Sequence, residues 1–297
     1  MKILITGGTG LIGTDLVNQL KEKNHEVRIL SRTKSDVAQE FYWNVKDRYI
    51  DDQAFENLDC VIHLAGASVS ERWTDEYKKE MTESRIDSAE LLLEYCKKHN
   101  IHLKSFISAS GINYYGTFTS DQILDENAGL LHEDFLSDLS QKWEAVAEQF
   151  SVISDRVVCL RTSLVLAKDS GAFPKLKSIT DLNIGSAIGS GKQWMNWIHI
   201  EDMVQMYVFA VESEKLDGSF NALADEVPTN KNFMKTLAKT AGKFFLPIAV
   251  PEFVLKSIFG EMSEILLTGT RASNEKIKSQ GFDFKYNTVE EAFKSLL

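Results

Sequence analysis

The first thirteen residues place the strongest constraint on the fold. They read M-K-I-L-I-T-G-G-T-G-L-I-G, an apolar run followed by a glycine-rich turn. A short aliphatic run of this kind suits a strand that is buried on both faces. The glycines allow a sharp turn and close approach to a pyrophosphate, which the amides of a helix start favour. This stretch predicts a dinucleotide-binding turn, and its predicted cofactor-binding residues are Gly7, Thr9, Gly10, Leu11, Ile12 and Gly13.

The residues that follow complete a strand-helix-strand unit. Leu16, Val17 and Leu20 fall on one helical face, and residues 26–30 form a second apolar strand. Further strands are predicted at residues 59–67, 106–110 and 156–161, separated by helical stretches. The alternation predicts the α/β class, a Rossmann-type doubly wound parallel sheet.

The end of the second strand favours one nicotinamide cofactor over the other. NAD sites place an acidic residue there to hold the ribose 2′-hydroxyl. This chain has Ser31 and Arg32 instead. The Arg32 guanidinium can pair with a 2′-phosphate, and the Ser31 hydroxyl can donate to it. NADP(H) is therefore favoured over NAD(H), and the alternative is a solvated surface arginine.

The third strand ends in small residues. The small residues Ala65, Gly66 and Ala67 follow its buried apolar run. Small residues at a strand tip let backbone and cofactor come close together. This strand tip, including Gly66, is therefore predicted to lie close to the cofactor.

Composition limits the partners and the compartment. The 297 residues carry a net charge of −10, and both nucleic acids and anionic membranes need a basic face. We therefore expect a small-molecule substrate and neither of those partners. The three cysteines are widely spaced in apolar context, and no leader segment is evident, which predicts a cytoplasmic protein. The histidines and cysteines lack metal-ligand spacing, so no metal is expected, and the sequence does not predict an oligomeric state.

The chain divides into two predicted parts. Residues 1–170, joined by about 195–225, form the NADP-binding domain, and residues 171–297 form a smaller, mostly helical subdomain on the substrate side. Helices are predicted there at 232–241, 252–267 and 289–297. The glycine-rich segment 185–191 is either a substrate loop or a linker.

Several segments together resemble a known family. The chain is similar to the atypical extended short-chain dehydrogenase/reductases of the epimerase family (NAD-dependent epimerase/dehydratase-like), including that family's carboxy-terminal domain of unknown function. The similar segments are Gly7 to Gly13, Leu64 to Ala67, Arg72-Trp73, Ser84-Arg85, Ser110 to Gly116, Lys142 to Glu144, Gly189 to Trp194, Trp197 to Asp202 and Gly281 to Tyr286.

The resemblance implies a substrate cleft between the sheet and the carboxy-terminal subdomain. It also implies that Leu64, Ala65, Glu80 and Arg85 lie beside the cofactor. Arg85 has a physical reason of its own, because a guanidinium can hold phosphate or ribose oxygens with two hydrogen bonds. The activity implied is that of an epimerase-like oxidoreductase acting on a small or sugar-like hydroxyl or carbonyl compound, including nucleotide sugars.

The catalytic pair of the wider superfamily is missing. Active members use Tyr-x-x-x-Lys, in which the lysine lowers the pKa of the tyrosine. Only Tyr42 and Lys46 have this spacing, and they lie near the expected adenosine end. On the helix where the pair belongs, Ser140 and Glu144 occupy the two positions in our alignment.

Three hypotheses follow from this departure. In the first, the protein is a redox enzyme in which Ser110 polarises a carbonyl and Tyr115, Tyr114 or Lys142 passes the proton. In the second, it is a catalytically inactive NADP(H)-binding sensor or regulatory protein. In the third, its cofactor site is vestigial, which the intact glycine turn and Arg32 argue against.

Two further features have a structural interpretation beside a functional one. The unperturbed pKa of histidine lies near neutrality, which would suit His199 to catalysis. The residue alternates with apolar residues as in a half-buried strand, however, and Asp202 is well placed to cap the following helix. We favour a structural role for His199. Trp194, Met195 and Trp197 either line the substrate cleft or hold the two parts of the molecule together.

Overall fold

A computed structural model describes residues 1–297, which contain fourteen strands and ten α-helices. The strands are β1 (Lys2–Thr6), β2 (Glu26–Ser31), β3 (Glu40–Asn44), β4 (Tyr49–Ile50), β5 (Cys60–His63), β6 (Ser105–Gly111), β7 (Thr119–Leu124), β8 (Val157–Thr162), β9 (Leu164–Leu166), β10 (Ser186–Ile188), β11 (Trp197–His199), β12 (Gly218–Ala222), β13 (Leu246–Val250) and β14 (Gly269–Ala272). The helices are α1 (Leu11–Glu22), α2 (Asp75–Lys98), α3 (Phe135–Glu148), α4 (Phe173–Asp181), α5 (Ile200–Glu212), α6 (Asn230–Thr240), α7 (Glu252–Phe259), α8 (Glu264–Leu267), α9 (Glu275–Ser279) and α10 (Val289–Leu296).

Eight strands form the central sheet in the order β12-β8-β6-β5-β1-β2-β3-β4. All neighbours run parallel except β3 and β4, which form an antiparallel edge. The chain passes from β1 to β2 on one side and returns to β5 on the other. Because ligands of such sheets bind where the strand order reverses, the crevice lies at the carboxyl ends of β1 and β5.

Helices cover both faces of this sheet. Ile3 and Ile5 of β1 point to the side of α1 and α5, whereas Leu4 points to the side of α2. All three side chains are fully buried. This period of two explains why β1 is a continuous apolar run, and the predicted Rossmann-type α/β fold is confirmed.

Some of the carboxy-terminal residues form a smaller body, and the others belong to the central sheet and its core. Helices α4, α6 and α10 share a separate apolar cluster around Phe233 and Phe293. Residues 197–222 instead supply β11, α5 and β12, and β12 is an edge strand of the central sheet. Ile277, Phe282 and Phe284 also pack into the main core, so the segment before α10 lies against the large sheet.

Two local predictions differ from the structure. Residues 252–267 were expected to form one helix, but Gly260 has a φ of 59° and separates α7 from a 3-10 turn and α8. Asp202 does not cap α5. His199 does, because its side chain accepts a hydrogen bond from the Glu201 amide at 3.1 Å. Asp202 accepts instead from the amides of Lys285 and Tyr286.

No helix is both long enough and apolar enough to cross a lipid bilayer.

Candidate functional site

The glycine turn after β1 is tightly folded. Gly7 has a φ of 70°, which favours glycine, and its carbonyl accepts a hydrogen bond from the Gly10 amide at 3.0 Å. A Cβ atom added to Gly13 would lie 2.1 Å from the Gly7 carbonyl oxygen. Glycine is therefore required at both ends of the turn so that α1 can start directly against β1.

The start of α1 presents free amides. The first backbone bond of the helix runs from the Thr14 amide to the Gly10 carbonyl, and the amides of Leu11, Ile12 and Gly13 have no hydrogen-bond acceptor. No side chain caps this end, and the first turn contains no acidic residue. Thr9 lies exposed beside it. Free amides at a helix N-terminus favour a phosphate, so this turn fits the pyrophosphate of a dinucleotide.

The end of β2 carries an unpaired cation. The Arg32 side chain is exposed and forms neither an ion pair nor a hydrogen bond. Ser31, which pairs with Tyr42 in the sheet, accepts the Thr33 amide on its Oγ at 3.2 Å. Arg28, by contrast, is held by Glu26 at 2.7 Å. The guanidinium of Arg32 is thus available to a 2′-phosphate.

The tip of β5 lies against the glycine turn. A Cβ atom on Gly7 would be 3.0 Å from the Leu64 carbonyl carbon. The Thr6 hydroxyl accepts the amides of Leu64 and Ala65, both at 3.1 Å. Gly66 is exposed beyond them. The predicted residues of the two strand tips therefore form one continuous backbone surface.

Arg85 supports this surface from behind. Only 6% of the residue is exposed, and its guanidinium donates to the carbonyls of Met81 and Ala67, each at 2.9 Å. A Cβ atom on Gly66 would lie 2.8 Å from Arg85 Cζ. Burial lowers the pKa of Arg85 to about 10, and its Nε has no partner. Glu80 is exposed and makes no hydrogen bond.

A buried network joins three strands to α3. The Glu144 carboxylate accepts hydrogen bonds from Ser110 Oγ at 2.7 Å and from Ser219 Oγ at 2.8 Å. Arg161 donates to both oxygens of that carboxylate at 2.8 and 2.9 Å. Burial opposes the charge of Arg161, but the hydrogen bonds and charge of Glu144 outweigh it and raise the pKa of Arg161. The arrangement is a bidentate ion pair inside the protein.

Tyr115 belongs to the same network. The residue is fully buried, and its hydroxyl donates to Asn221 Oδ1 at 2.8 Å and accepts from Arg161 Nη1 at 2.9 Å. Burial raises the pKa of Tyr115 to about 12. A phenol held in this way stays protonated and does not face a substrate, which argues against Tyr115 as an acid or base. Ser110, 2% exposed, is also turned toward Glu144.

Lys142 lies apart from these groups. Its side chain is exposed on α3 and pairs with Asp138 one turn earlier at 2.7 Å. It forms no hydrogen bond with Ser110 or Tyr115, so its contacts do not support the predicted role as a proton donor. Tyr114 differs from all three. It is half-buried, its hydroxyl has no hydrogen-bond partner, and it lines a cavity of about 380 Å³.

The two positions aligned with the missing catalytic pair face different surroundings. Ser140 is buried, and its Oγ would lie 2.9 Å from a Cβ atom on Gly111 at the end of β6. Glu144, one turn later, faces Arg161. No sequence motif pointed to Arg161 or Asn221. The available signal was a charged residue at the end of a buried strand, since buried charges need partners.

The aromatic residues after the glycine-rich loop have structural roles. Trp197 is fully buried in the apolar cluster of α4, α6 and α10, and its Nε1 donates to the Glu226 carbonyl at 2.7 Å. Trp194 is half-buried, with the Arg271 guanidinium 4.7 Å from its ring centre. Met195 packs at the edge of the same cluster as Trp197. Trp197 therefore holds the carboxy-terminal elements together.

The chain matches two family models. The NAD dependent epimerase/dehydratase family matches residues 3–134, and a domain of unknown function, DUF1731, matches residues 250–296. An epimerase family protein of Staphylococcus aureus is 36% identical over 299 residues, which cover 99% of this chain and 98% of that protein. The chain belongs to the epimerase family. This assigns it to the extended short-chain dehydrogenase/reductases, as the motifs indicated.

Solved structures resemble this epimerase family protein over its full length. The human epimerase family protein SDR39U1 (isoform 2), solved with NADPH, has a TM-score of 0.90 and 29% identity and covers 100% of this chain and 99% of its own. The UDP-glucuronic acid 4-epimerase of Bacillus cereus was solved with UDP-glucuronic acid and NAD. It has a TM-score of 0.78 and 19% identity, and the match covers 99% of this chain and 97% of that epimerase. The latter likeness shows the shared fold alone.

Proposed function

We propose that this protein binds NADP(H) at the carboxyl ends of β1, β2 and β5 and acts as an epimerase-like oxidoreductase on a small or sugar-like hydroxyl or carbonyl compound. Bound there, the nicotinamide would supply or accept a hydride. The observation that carries the proposal is the set of free amides at the start of α1, where no acidic side chain competes with a phosphate. The NADPH of the human relative agrees with it.

The preference for the phosphorylated cofactor rests on Arg32. Its guanidinium is free, and no carboxylate at the end of β2 would repel a 2′-phosphate. The proposed cofactor-binding residues are Gly7, Thr9, Gly10, Leu11, Ile12, Gly13, Ser31, Arg32, Leu64, Ala65 and Gly66, with Arg85 as the support beneath Gly66. Glu80 remains in this set only through the family resemblance.

A second candidate function is NADP(H) binding without turnover. The hydroxyls of Ser110 and Tyr115 are both engaged in the buried network, and Lys142 is paired at the surface. Tyr114 is the one remaining candidate with a free hydroxyl. A protein that reports NADP(H) to a partner would need the same glycine turn and no proton donor.

The Arg32→Ala variant tests the cofactor assignment. We expect NADPH binding to weaken by one to two orders of magnitude, with NADH unchanged, because about 1.5 to 3 kcal/mol of charged hydrogen bonding is lost. Cofactor fluorescence titrations measure both affinities. Lys46→Ala removes another exposed cation at the same sheet edge and serves as the control. Equal weakening of both cofactors would contradict the assignment.

Turnover is then measured with the saturated protein. Oxidation of NADPH is followed against a panel of carbonyl compounds and nucleotide sugars. Oxidation by a panel member supports the oxidoreductase. Tight NADPH binding without oxidation supports the sensor, whereas failure to bind either cofactor refutes both.

A further inference from the structure

The arginines of this chain divide into two groups. There are eight, and six of them are held by other protein groups. The six are Arg28 with Glu26, Arg48 with Glu94, Arg85 with the Met81 and Ala67 carbonyls, Arg156 with the Ala210 and Leu216 carbonyls, Arg161 with Glu144, and Arg271 over the Trp194 ring. Arg32 and Arg72 have no such partner. Since Arg32 is assigned to the cofactor, Arg72 is the remaining free guanidinium.

Arg72 lies on a well-fixed loop. Residues 64–74 connect β5 to α2. The Trp73 indole donates to the Val69 carbonyl at 3.1 Å, and the Tyr77 hydroxyl donates to the Ser68 carbonyl at 2.7 Å. The Ala67 amide donates to Ser84 Oγ at 2.9 Å. The loop is thus tied at several points to itself and to α2, while the Arg72 side chain stays exposed.

The loop also lies where the two parts of the molecule meet. Its first residues form the β5 tip that contacts the glycine turn. Near its end, the Trp73 ring packs edge-on against Phe135 at 5.4 Å, in a cluster with Met262 and Ile265 of the carboxy-terminal segment. The loop that carries Arg72 therefore runs from the proposed cofactor site to the contact with the carboxy-terminal segment, and it starts at the carboxyl end of β5, where ligands of such sheets bind.

The acidic residues next to Arg72 in sequence do not pair with it. Glu71, Asp75 and Glu76 are adjacent in sequence, and none forms an ion pair with its guanidinium. A planar guanidinium binds a carboxylate or phosphate with two parallel hydrogen bonds. Because the loop is already ordered, little backbone freedom would be lost on binding.

We infer that Arg72 binds the anionic group of the substrate, a carboxylate or a phosphate. The inference rests on the proposed function, since it places the substrate beside the proposed cofactor. It narrows the substrate class to hydroxyl or carbonyl compounds that carry a negative charge. Uncharged sugars and simple ketones are excluded as preferred substrates.

Anion binding is measured by calorimetry with two probes, oxalate for a carboxylate and inorganic phosphate for a phosphate. Each probe is titrated into wild type, Arg72→Ala, Arg72→Lys and Lys79→Ala, with and without saturating NADPH. Lys79 is an exposed cation in the first turns of α2 and pairs with Glu83 at 3.4 Å. Lys79→Ala is the control, because it removes one positive charge, as Arg72→Ala does. Urea unfolding checks that all variants are folded.

We expect wild type to bind at least one probe, and Arg72→Ala to weaken that binding about tenfold or more while Lys79→Ala leaves it unchanged. Arg72→Lys should restore part of it, and the NADPH affinity should be the same in all four proteins. The inference is overturned if wild type binds neither probe, or if Arg72→Ala binds as well as wild type. The titrations without NADPH separate this result from a failure of the proposed cofactor site.

Discussion

Two adjacent tyrosines show how the same residue type serves different purposes. Tyr115 is buried, with its hydroxyl between Asn221 and Arg161, whereas the Tyr114 hydroxyl is free beside a cavity. The Arg161 guanidinium lies 3.6 Å from the centre of the Tyr114 ring. Sequence alone gives the two residues equal standing as proton donors. The contacts of Tyr115 give it a structural role, whereas those of Tyr114 leave its hydroxyl free.

The variants Tyr114→Phe and Tyr115→Phe separate these roles. Tyr115→Phe leaves two buried polar partners unsatisfied, so we expect a loss of about 1 to 3 kcal/mol in the free energy of unfolding. Tyr114→Phe should leave stability unchanged and lower any NADPH oxidation about 10²-fold or more. Urea unfolding and single-turnover kinetics measure the two effects. A stable Tyr115→Phe variant with lost turnover would reverse the assignment.

The elements that could be predicted from sequence are those with strong local signals. The opening strand, turn and helix follow from residues 1–22, and α6 and α10 begin within two residues of their predicted starts. The short pairs β7 with β14 and β10 with β13 were not predicted, because each joins segments far apart in sequence. The end of α7 at Gly260 was not predicted either, because one glycine in an apolar run does not by itself end a helix.

The site divides in the same way. The glycine turn and Arg32 are local features of one strand-helix-strand unit, so their places follow from the sequence. The network of Glu144 does not, because Tyr115 and Asn221 are brought together only by the order of β6, β8 and β12. Side chains at neighbouring strand ends become partners through sheet topology, which spacing along the chain does not encode.

The start of α3 gives a test at the level of one element. Asp134 Oδ1 accepts the amides of Leu136 and Ser137 at 2.9 and 3.0 Å, and its Oδ2 accepts the Thr117 amide. Asp134→Ala should therefore cost about 1 to 2 kcal/mol of the free energy of unfolding. Asp138→Ala, which removes only the surface pair with Lys142, should cost less than about 1 kcal/mol. Equal losses in urea unfolding would show that the cap is unimportant.

At the scale of the whole molecule, two histidines make the fold sensitive to acid. His63 and His199 are buried, and burial lowers the pKa of each to about 4. The hydrogen bond of His63 to the Arg85 carbonyl opposes this lowering of the pKa, as the charge of Glu201 does at His199, but burial outweighs both. Both rings act as neutral hydrogen-bonding groups, His63 with the Thr6 hydroxyl at 2.8 Å and His199 with the Glu201 amide.

The direction of the pH dependence follows from these lowered pKa values. In the unfolded chain a histidine takes up its proton near pH 6.5, whereas the folded protein resists protonation until about pH 4. The contribution of the two histidines to the free energy of unfolding is complete above the pKa of the unfolded chain. It is lost as the pH falls through the pKa of the folded protein. As the pH falls between these two pKa values, each histidine should lower the free energy of unfolding by about 1.4 kcal/mol per pH unit. Urea unfolding between pH 7.5 and pH 4.5 measures this slope.

His199→Asn isolates one of the two contributions. Asparagine keeps an oxygen that can accept the Glu201 amide and cap α5, but it does not titrate. The variant should therefore lose stability more slowly with acid, by about 1.4 kcal/mol per pH unit less than wild type. An unchanged slope in His199→Asn would mean that the folded protein protonates His199 as readily as the unfolded chain does.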